Sequence, residues 1–541
     1  MRITGSSTFW GRLAGGVLVL TALFSGCGDS GPGDGVVTPE STAIKVDGII
    51  FNPKSPTPGD TMMATAVVTS GSLNPGDFVG YQWSVDGGTL LDTGKTSVRW
   101  VAPDTTSGTL FTVTVRATNA VSTSTGSGKV LVNRITTLVG SRAGEVHPTS
   151  TGDSIYYLSS NLRPTQFFFN GFEIMLRDGS GTTTTVNPNR FGTEYKFNRT
   201  LTQAVHVETE FISGSDKLKQ IYHDDLLAGV SIPLPIMPLQ PLQRKPQFTE
   251  PDFSPDDRLI VYQAFLPDAQ KPPAQGGVDT FEVFVYDIGT QQVSRVTHGL
   301  ASFHPSFSSD GAFMVFMSDT TASQNGAWEL YALPVTGGVV SPDTIGPLTE
   351  LTTSGGIVGS GSPPSVGARA WNGNAADPVL AIVDANDKLN LVRTDGSGAL
   401  VVNVADKVKD FAWAPGGSQL AMTAGNSIYV VSSNASAQSV NDILVGDRVS
   451  RLSWSGNEDY LIYNVVRSTD SWYELIDITG ATGLLKPVRI SGAVSNGNAA
   501  DYSSLLVTRP AWAPNATTAY LMFFFNPTPR LSTLSLSGLT P

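Results

Sequence analysis

Five histidines and one cysteine are the side chains here best suited to metal binding or covalent catalysis. Imidazole is a metal ligand and a proton carrier near neutral pH, so the placement of His147, His206, His223, His298 and His304 comes first. His147 and His304 each precede a proline at what reads as the same point of a repeated segment, and are expected to face one site. His206 lies in an alternating apolar run and reads as a packed or exposed strand residue, while His298 sits in a Thr-His-Gly turn. A third histidine at an equivalent position is lacking, so no metal site is assigned. Two acidic clusters, Asp252/Asp256/Asp257 and Asp224/Asp225 beside His223, offer oxygen ligands for a cation but read as turn and solvated-face residues. The chain has no Gly-x-Ser-x-Gly nucleophile elbow. Gly126-Ser-Gly-Lys129 lacks the upstream glycine of a phosphate loop and reads as loop composition. No catalytic residue and no cofactor is assigned.

The elements that position these residues follow from composition. Gly and Pro number 56 and 34, spread through apolar runs, which argues for many short strands joined by turns. The net charge of −12 speaks against a nucleic-acid partner, since that affinity rests on Lys and Arg neutralising phosphates. A single cysteine excludes a disulfide framework and a cysteine-based zinc site.

At the amino terminus, Arg2 and Arg12 flank the apolar run Leu13–Phe24, too short to span a bilayer. Ser25-Gly26 then leads into Cys27. This arrangement resembles the lipobox of bacterial lipoproteins. The resemblance implies that residues 1–27 are a signal peptide and lipobox, with acyl chains on Cys27 anchoring the protein to a membrane. Gly28, where aspartate favours inner-membrane retention, points to the outer membrane or cell surface. Residues 28–42 read as a flexible tether.

Residues 43–134 alternate as half-buried strands, for example Ala64–Val68, Tyr81–Val85, Ser97–Val101 and Phe111–Ala117, separated by Asn74-Pro-Gly-Asp77 and Asp86-Gly-Gly88 turns. Short strands at this spacing predict an antiparallel β-sandwich, with Trp83 and Trp100 in its core. On Tyr81-Gln-Trp83, Asp86-Gly-Gly88 and Trp100-Val-Ala-Pro103 the stretch resembles immunoglobulin-like and PKD-type domains.

From residue 135 to 541 a segment repeats, most clearly as Phe303-His-Pro-Ser-Phe-Ser-Ser-Asp-Gly and Glu250-Pro-Asp-Phe-Ser-Pro-Asp-Asp. Weaker copies centre on Trp413, Trp454 and Trp512, and degenerate ones on Trp371, Phe197 and His147-Pro148. Each is an aromatic strand, a polar turn and a hydrophobic strand. A third strand then recurs as aromatic-Glu-aliphatic at Glu173, Glu282, Glu329 and Glu474, whose glutamates are expected to pair with neighbouring units. Four strands at a period of about 40–60 residues predict a β-propeller. Eight units are counted, or seven if the stretch near Trp371 is an insertion. The last unit lacks a fourth strand, which Ile135–Val139 is expected to supply, closing the ring beside the sandwich.

These repeats resemble the WD-repeat-like units of TolB and of propellers attached to prolyl-oligopeptidase-type enzymes. The fold class implied is all-β, an immunoglobulin-like sandwich followed by a TolB-like propeller. No room follows the last repeat for a hydrolase domain. Alignment on the repeated aromatic puts Glu194, Glu250, His304, Ala368, Asp410, Arg451 and Arg509 three residues before it, with His147 as the match in unit one. This position lines the central channel of a propeller, and the ring is either a funnel for a polar ligand or a hydrated channel tied by inter-blade ion pairs. The reading is a non-catalytic scaffold binding an envelope protein or glycan. Two alternatives stand beside it. One is a metal-dependent polysaccharide lyase or hydrolase, because some TolB-like lyases hold a divalent metal with channel histidines; the other is a purely structural surface protein.

Overall fold

The computed structural model describes residues 43–536 apart from connecting segments, the longest being 71–78, 160–171, 236–246, 267–279, 320–328, 341–348, 352–368, 480–486 and 496–508. Cys27, the leader and the tether lie outside the described residues, as does Ala368. Every regular element among the described residues is a β-strand.

Seven strands, from Ile44–Asn52 to Thr123–Val132, form a four-stranded and a three-stranded antiparallel sheet over one core. Alternation does the sorting: in Thr61–Ser70, Met62, Ala64 and Ala66 are buried while Met63 and Val67 face out. Trp83 and Trp100 are buried as expected, and each indole N–H finds a carbonyl, Lys95 O and Gly87 O respectively, both at 2.8 Å. Gly126 and Gly128 lie within the strand Thr123–Val132, not in a loop. A Cβ on Gly126 would stand 2.3 Å from Val46 Cγ1, and one on Gly128 2.9 Å from the Phe51 ring. These glycines let strands pack closely and do not cradle phosphate.

Eight antiparallel units follow, spanning 143–185, 193–233, 247–295, 301–350, 369–401, 408–442, 447–495 and 511–535, the last completed by 135–139; each has four strands, and 301–350 and 447–495 carry a short fifth. They are the eight blades of a propeller, and the Trp371 stretch is a blade in its own right. In each, the first two strands form the same hairpin. The N–H of the residue after the aromatic position (Thr149, Asn198, Ser254, Ser308, Asn372, Ala414, Ser455 or Ala513) donates to the carbonyl across the turn. The Ser-x-Asp signature has a direct cause. Ser254 Oγ accepts the Leu259 N–H at 2.8 Å and donates to Asp256 at 2.6 Å, and Ser308 and Ser455 repeat this with Phe313 and Tyr460.

Alternating faces of each blade then pack on its two neighbours. Val261, Val283 and Val285 meet Phe307, Met314 and Phe316 across one seam, and Leu391 and Val379 meet Phe411 and Leu420 across another. The tryptophans also bond across the seams. Trp413 Nε1 donates to Ala370 O (2.9 Å), Trp454 Nε1 to Ala412 O (3.0 Å) and Trp512 Nε1 to Ser453 O (3.4 Å), in each case the residue just before the preceding blade's tryptophan. Two of the recurrent third-strand glutamates bond inside their own sheets. Glu282 bonds Arg295 (3.0 Å) and Thr297 (2.7 Å), and Glu474 accepts from Tyr463 and Trp472, all within their own blades.

Ring closure follows the expected route: Ile135–Val139 pairs antiparallel with Thr528–Ser535, with Leu534 opposite Ile135. The strand before it carries Leu131, which is buried with Leu475, Leu521 and Leu534 of the last two blades, so the sandwich seats against the closure. A fully buried leucine of this kind contributes about 2 kcal/mol.

The hairpin chemistry is testable. Ser308 is fully buried, and Ser308→Ala strands the Phe313 N–H. Urea denaturation should register a loss of about 1–2 kcal/mol with an unchanged m value.

Candidate functional site

The first strand of each blade lies at the centre, because first strands of successive blades contact one another. The clearest sign is Arg509 of the eighth blade, which bonds Asp410 of the sixth past the seventh. Such a reach is available only where blades converge on the axis.

Hairpin register decides which residues form this inner ring. Counting back three from the aromatic position gives Glu194, Glu250, His304, Asp410, Arg451 and Arg509, as the sequence indicated. In the first blade the residue before Thr149 is Pro148, opposite Ile155, just as Phe253 is opposite Ile260. The ring residue there is therefore Glu145, not His147. His147 stands two positions further along its strand than His304 does, so the two histidines are not equivalent. His147 packs instead at a tilt against Phe197, 4.2 Å between ring centroids, with Nε2 3.3 Å from Glu145 Oε1. The first unit misled because proline fills its aromatic place.

Four ring residues share an unusual backbone. Glu194, Glu250, His304 and Arg451 have φ of 54°, 53°, 53° and 62°. Each is the extra residue of a β-bulge, with the register stepping across Thr193/Lys196, Thr249/Asp252, Phe303/Ser306 and Ser450/Ser453. The left-handed region costs a non-glycine residue about 1 kcal/mol or more. A bulge re-aims its side chain and frees its N–H from the ladder, and here the freed N–H bonds to the preceding blade. Glu194 Oε2 accepts the Glu250 N–H at 2.8 Å, Gln263 Oε1 accepts that of His304 at 2.8 Å, and Asp410 Oδ2 accepts that of Arg451.

The ring's side chains continue these ties. Glu250 is in hydrogen-bonding contact with His304 Nδ1, and Lys219 Nζ lies 3.5 Å from Glu194. Asp410 is the densest node. It accepts from the Phe411 N–H (2.9 Å), the Arg451 and Leu452 N–H groups and Arg509 Nη2, while Arg509 Nη1 donates to Leu452 O at 2.9 Å. Carboxylates thus dominate blades one to three, and arginines blades seven and eight.

A second polar constellation, unread in the sequence, lies in the second blade. His206 and Asp224 are fully buried, with Nδ1 2.6 Å from Asp224 Oδ2 and Nε2 3.3 Å from Glu208. Asn187 donates to Asp224 at 2.7 Å, and Arg190 pairs Glu208 at 3.3 Å while lying over the Tyr222 ring. The imidazole is sandwiched between Tyr195 and Tyr222, and Gly192 packs so closely that a Cβ there would stand 2.2 Å from it. Burial works against the imidazolium, but the hydrogen bonds to Asp224 and Glu208 outweigh it and hold His206 above its usual 6.5. Asp224 is therefore neither a turn nor a solvated-face residue. The signal was available, since hairpin register puts His206 opposite Tyr222 and Ala204 opposite Asp224, placing both side chains on one face.

The remaining candidates have local roles. Asp225 bonds the Leu227 and Ala228 N–H groups, Asp256 bonds Ser254, and Asp257 accepts from Asn198 (3.0 Å) across the seam between blades two and three. His223 lies 3.2 Å from Gln203 Oε1 and edge-on to Phe253, and His298 is exposed just after a fourth strand. No group of three His, Cys, Asp or Glu side chains among the described residues is arranged to hold a metal ion.

No family model matches the chain, and no curated protein matches it in sequence. Among solved structures it is similar to dipeptidyl peptidase 4 of Porphyromonas gingivalis, with 12% identity, a TM-score of 0.46 and coverage of 74% of this chain and 59% of that one. It is also similar to an oligogalacturonate lyase from Vibrio parahaemolyticus, with 11% identity, a TM-score of 0.42 and coverage of 74% and 93%. TolB from Acinetobacter baumannii is similar at 15% identity, a TM-score of 0.29 and coverage of 66% and 78%. The match thus spans less than two thirds of the peptidase's length.

Two outcomes follow from the geometry. Asp410→Asn removes the charge that three blades share, and should lower unfolding free energy by about 2 kcal/mol in urea titrations. His206 has a raised folded-state value, so its contribution is fully present below the unfolded 6.5 and is lost as pH rises through the folded value. Stability measured at intervals upward from pH 6 should fall for this reason, and His206→Gln should flatten that fall.

Proposed function

We propose that the protein is a lipid-anchored component of a bacterial envelope that acts as a non-catalytic binding scaffold. Cys27 carries the acyl chains, residues 28–42 tether the immunoglobulin-like sandwich, and the propeller meets an envelope protein at its axial opening. Display at the outer membrane or cell surface fits Gly28 after the modified cysteine. The observation that supports a scaffold is the engagement of the ring. Its carboxylates and His304 are spent on holding adjacent blades, with Glu194 on the Glu250 N–H, Glu250 on His304 and Asp410 on Arg451, Leu452 and Arg509. Groups so committed stabilise a rigid rim and are poorly placed to shuttle protons at a substrate. His147 and His304 also occupy different register positions, which weakens the case for a shared metal.

The full chain, tagged at its carboxyl terminus and purified from detergent-solubilised native envelopes, tests this reading. One stoichiometric protein partner, acyl labelling that Cys27→Ala abolishes, and no divalent ion at unit occupancy are the expected results. A tightly bound divalent ion together with turnover of acidic oligosaccharides would replace the scaffold with a lyase.

A further inference from the structure

The propeller packs on one side of the sandwich. In the strand Thr123–Val132, Val130 and Val132 face the sandwich core, while Leu131 and its cross-strand partner Leu110 point the other way and meet Leu475, Leu521 and Leu534 of the propeller. The three-stranded sheet thus carries the propeller on its outer face, and the outer face of the four-stranded sheet looks away from it. That second face is apolar at its middle. Ile50, Met63 and Val67 are 56%, 47% and 39% exposed. Register makes them one patch: Ile50 stands opposite Thr65, which Met63 and Val67 flank on the same strand, and Val67 has Gly48 opposite it. Leu91 and Val101, both half-buried, continue it across the next two strands. Ion pairs at its margins, Lys45 with Asp47 (3.0 Å) and Arg99 with Asp92 (2.7 Å), cancel in charge.

Size, reach and charge decide which partner suits such a face. Met63 and Val67 are about 13 Å apart along the strand, so the exposed patch covers on the order of 200 Å². A standard protein interface needs about 800 Å² per partner, so a patch this small is effective only against a partner already held close. Residues 28–43, between Cys27 and Ile44, span at most about 55 Å when fully extended, so acyl chains on Cys27 would keep a bilayer within that distance of the sandwich. Charge then orients the molecule. Residues 43–134 carry seven Lys and Arg against six Asp and Glu, whereas residues 135–541 carry 25 against 37. An anionic bilayer repels the propeller and not the sandwich. We infer that the outer face of the four-stranded sheet rests on the anionic lipid surface that receives the acyl chains, with Ile50, Met63 and Val67 in the interfacial layer and the propeller held away from it. This rests on the anchored reading above and adds the surface on which the anchored protein sits.

The full chain, purified from native envelopes and reconstituted in vesicles of phosphatidylethanolamine and phosphatidylglycerol, tests the inference. Asn52→Cys, exposed on this face opposite Met63, and Leu400→Cys, exposed on an outer strand of the fifth blade, each take one environment-sensitive fluorophore. Lipids with headgroup nitroxides should quench the label at residue 52 roughly three-fold more than the label at residue 400, since an interfacial contact of this kind lies about 5–10 Å deep. The triple change Ile50→Ser, Met63→Ser and Val67→Ser should bring the label at residue 52 down to the level at residue 400. These side chains are exposed, so the unfolding midpoint should hold, which separates lost lipid contact from lost folding. Equal quenching at both labels in acylated, vesicle-bound protein would overturn the lipid contact and leave the anchored reading standing. Energy transfer between copies in place of lipid quenching would overturn it too, and put a second copy on this face. A chain that carries no acyl group and does not float with the vesicles would overturn both.

Discussion

Blades of a propeller are largely separate sheets, and among the described residues main-chain pairing crosses the seams only as single bridges, parallel between Lys219 and Gln247 and antiparallel between Phe172 and Gly192. Most of what makes a ring of them must therefore come from side chains. The chain solves this at two radii. Within the seams, aliphatic faces interlock and tryptophan indoles donate to the carbonyl one residue before the preceding blade's tryptophan. At the axis, bulged residues expose an N–H that the carboxylate of the blade before accepts. A left-handed backbone at a glutamate or an arginine is costly in isolation, and persists because the inter-blade bond it permits cannot be made from a regular pleat.

That device has a chemical by-product. Placing a polar residue at the same inner position of seven of the eight blades, Ala368 being the exception, builds a ring of charges, and their order around it is not random. Carboxylates cluster on blades one to three and arginines on seven and eight, so the opening carries an electrical polarity.

The buried His206 cluster follows the opposite logic. There His206 and Asp224 are enclosed, and the imidazole is matched by Asp224 and Glu208 with Asn187 and Arg190 behind them. Such a network fixes one packing of the seam, since losing any member leaves a buried charge exposed to a poor dielectric.

Sequence alone determined the hairpins and the closing strand, and left eight blades against seven, which the sheet at Trp371 decided. Period-two alternation decides which face is buried, and a Ser-x-Asp turn works through contacts within six residues, as Ser254 with Asp256 and Leu259 illustrates. It also identified six of the inner-ring residues, because an aromatic marker kept the register. Tertiary structure decided what depends on register without a marker or on distance across elements. Glu145 replaced His147 once Pro148 proved to hold the aromatic place, opposite Ile155. The recurrent Glu282 and Glu474 bond inside their own sheets. His206 met Asp224, 18 residues away, only when two strands came together. Spacing along a chain prescribes local geometry; which charged groups end up sharing one carboxylate is settled only when eight separate sheets converge on an axis.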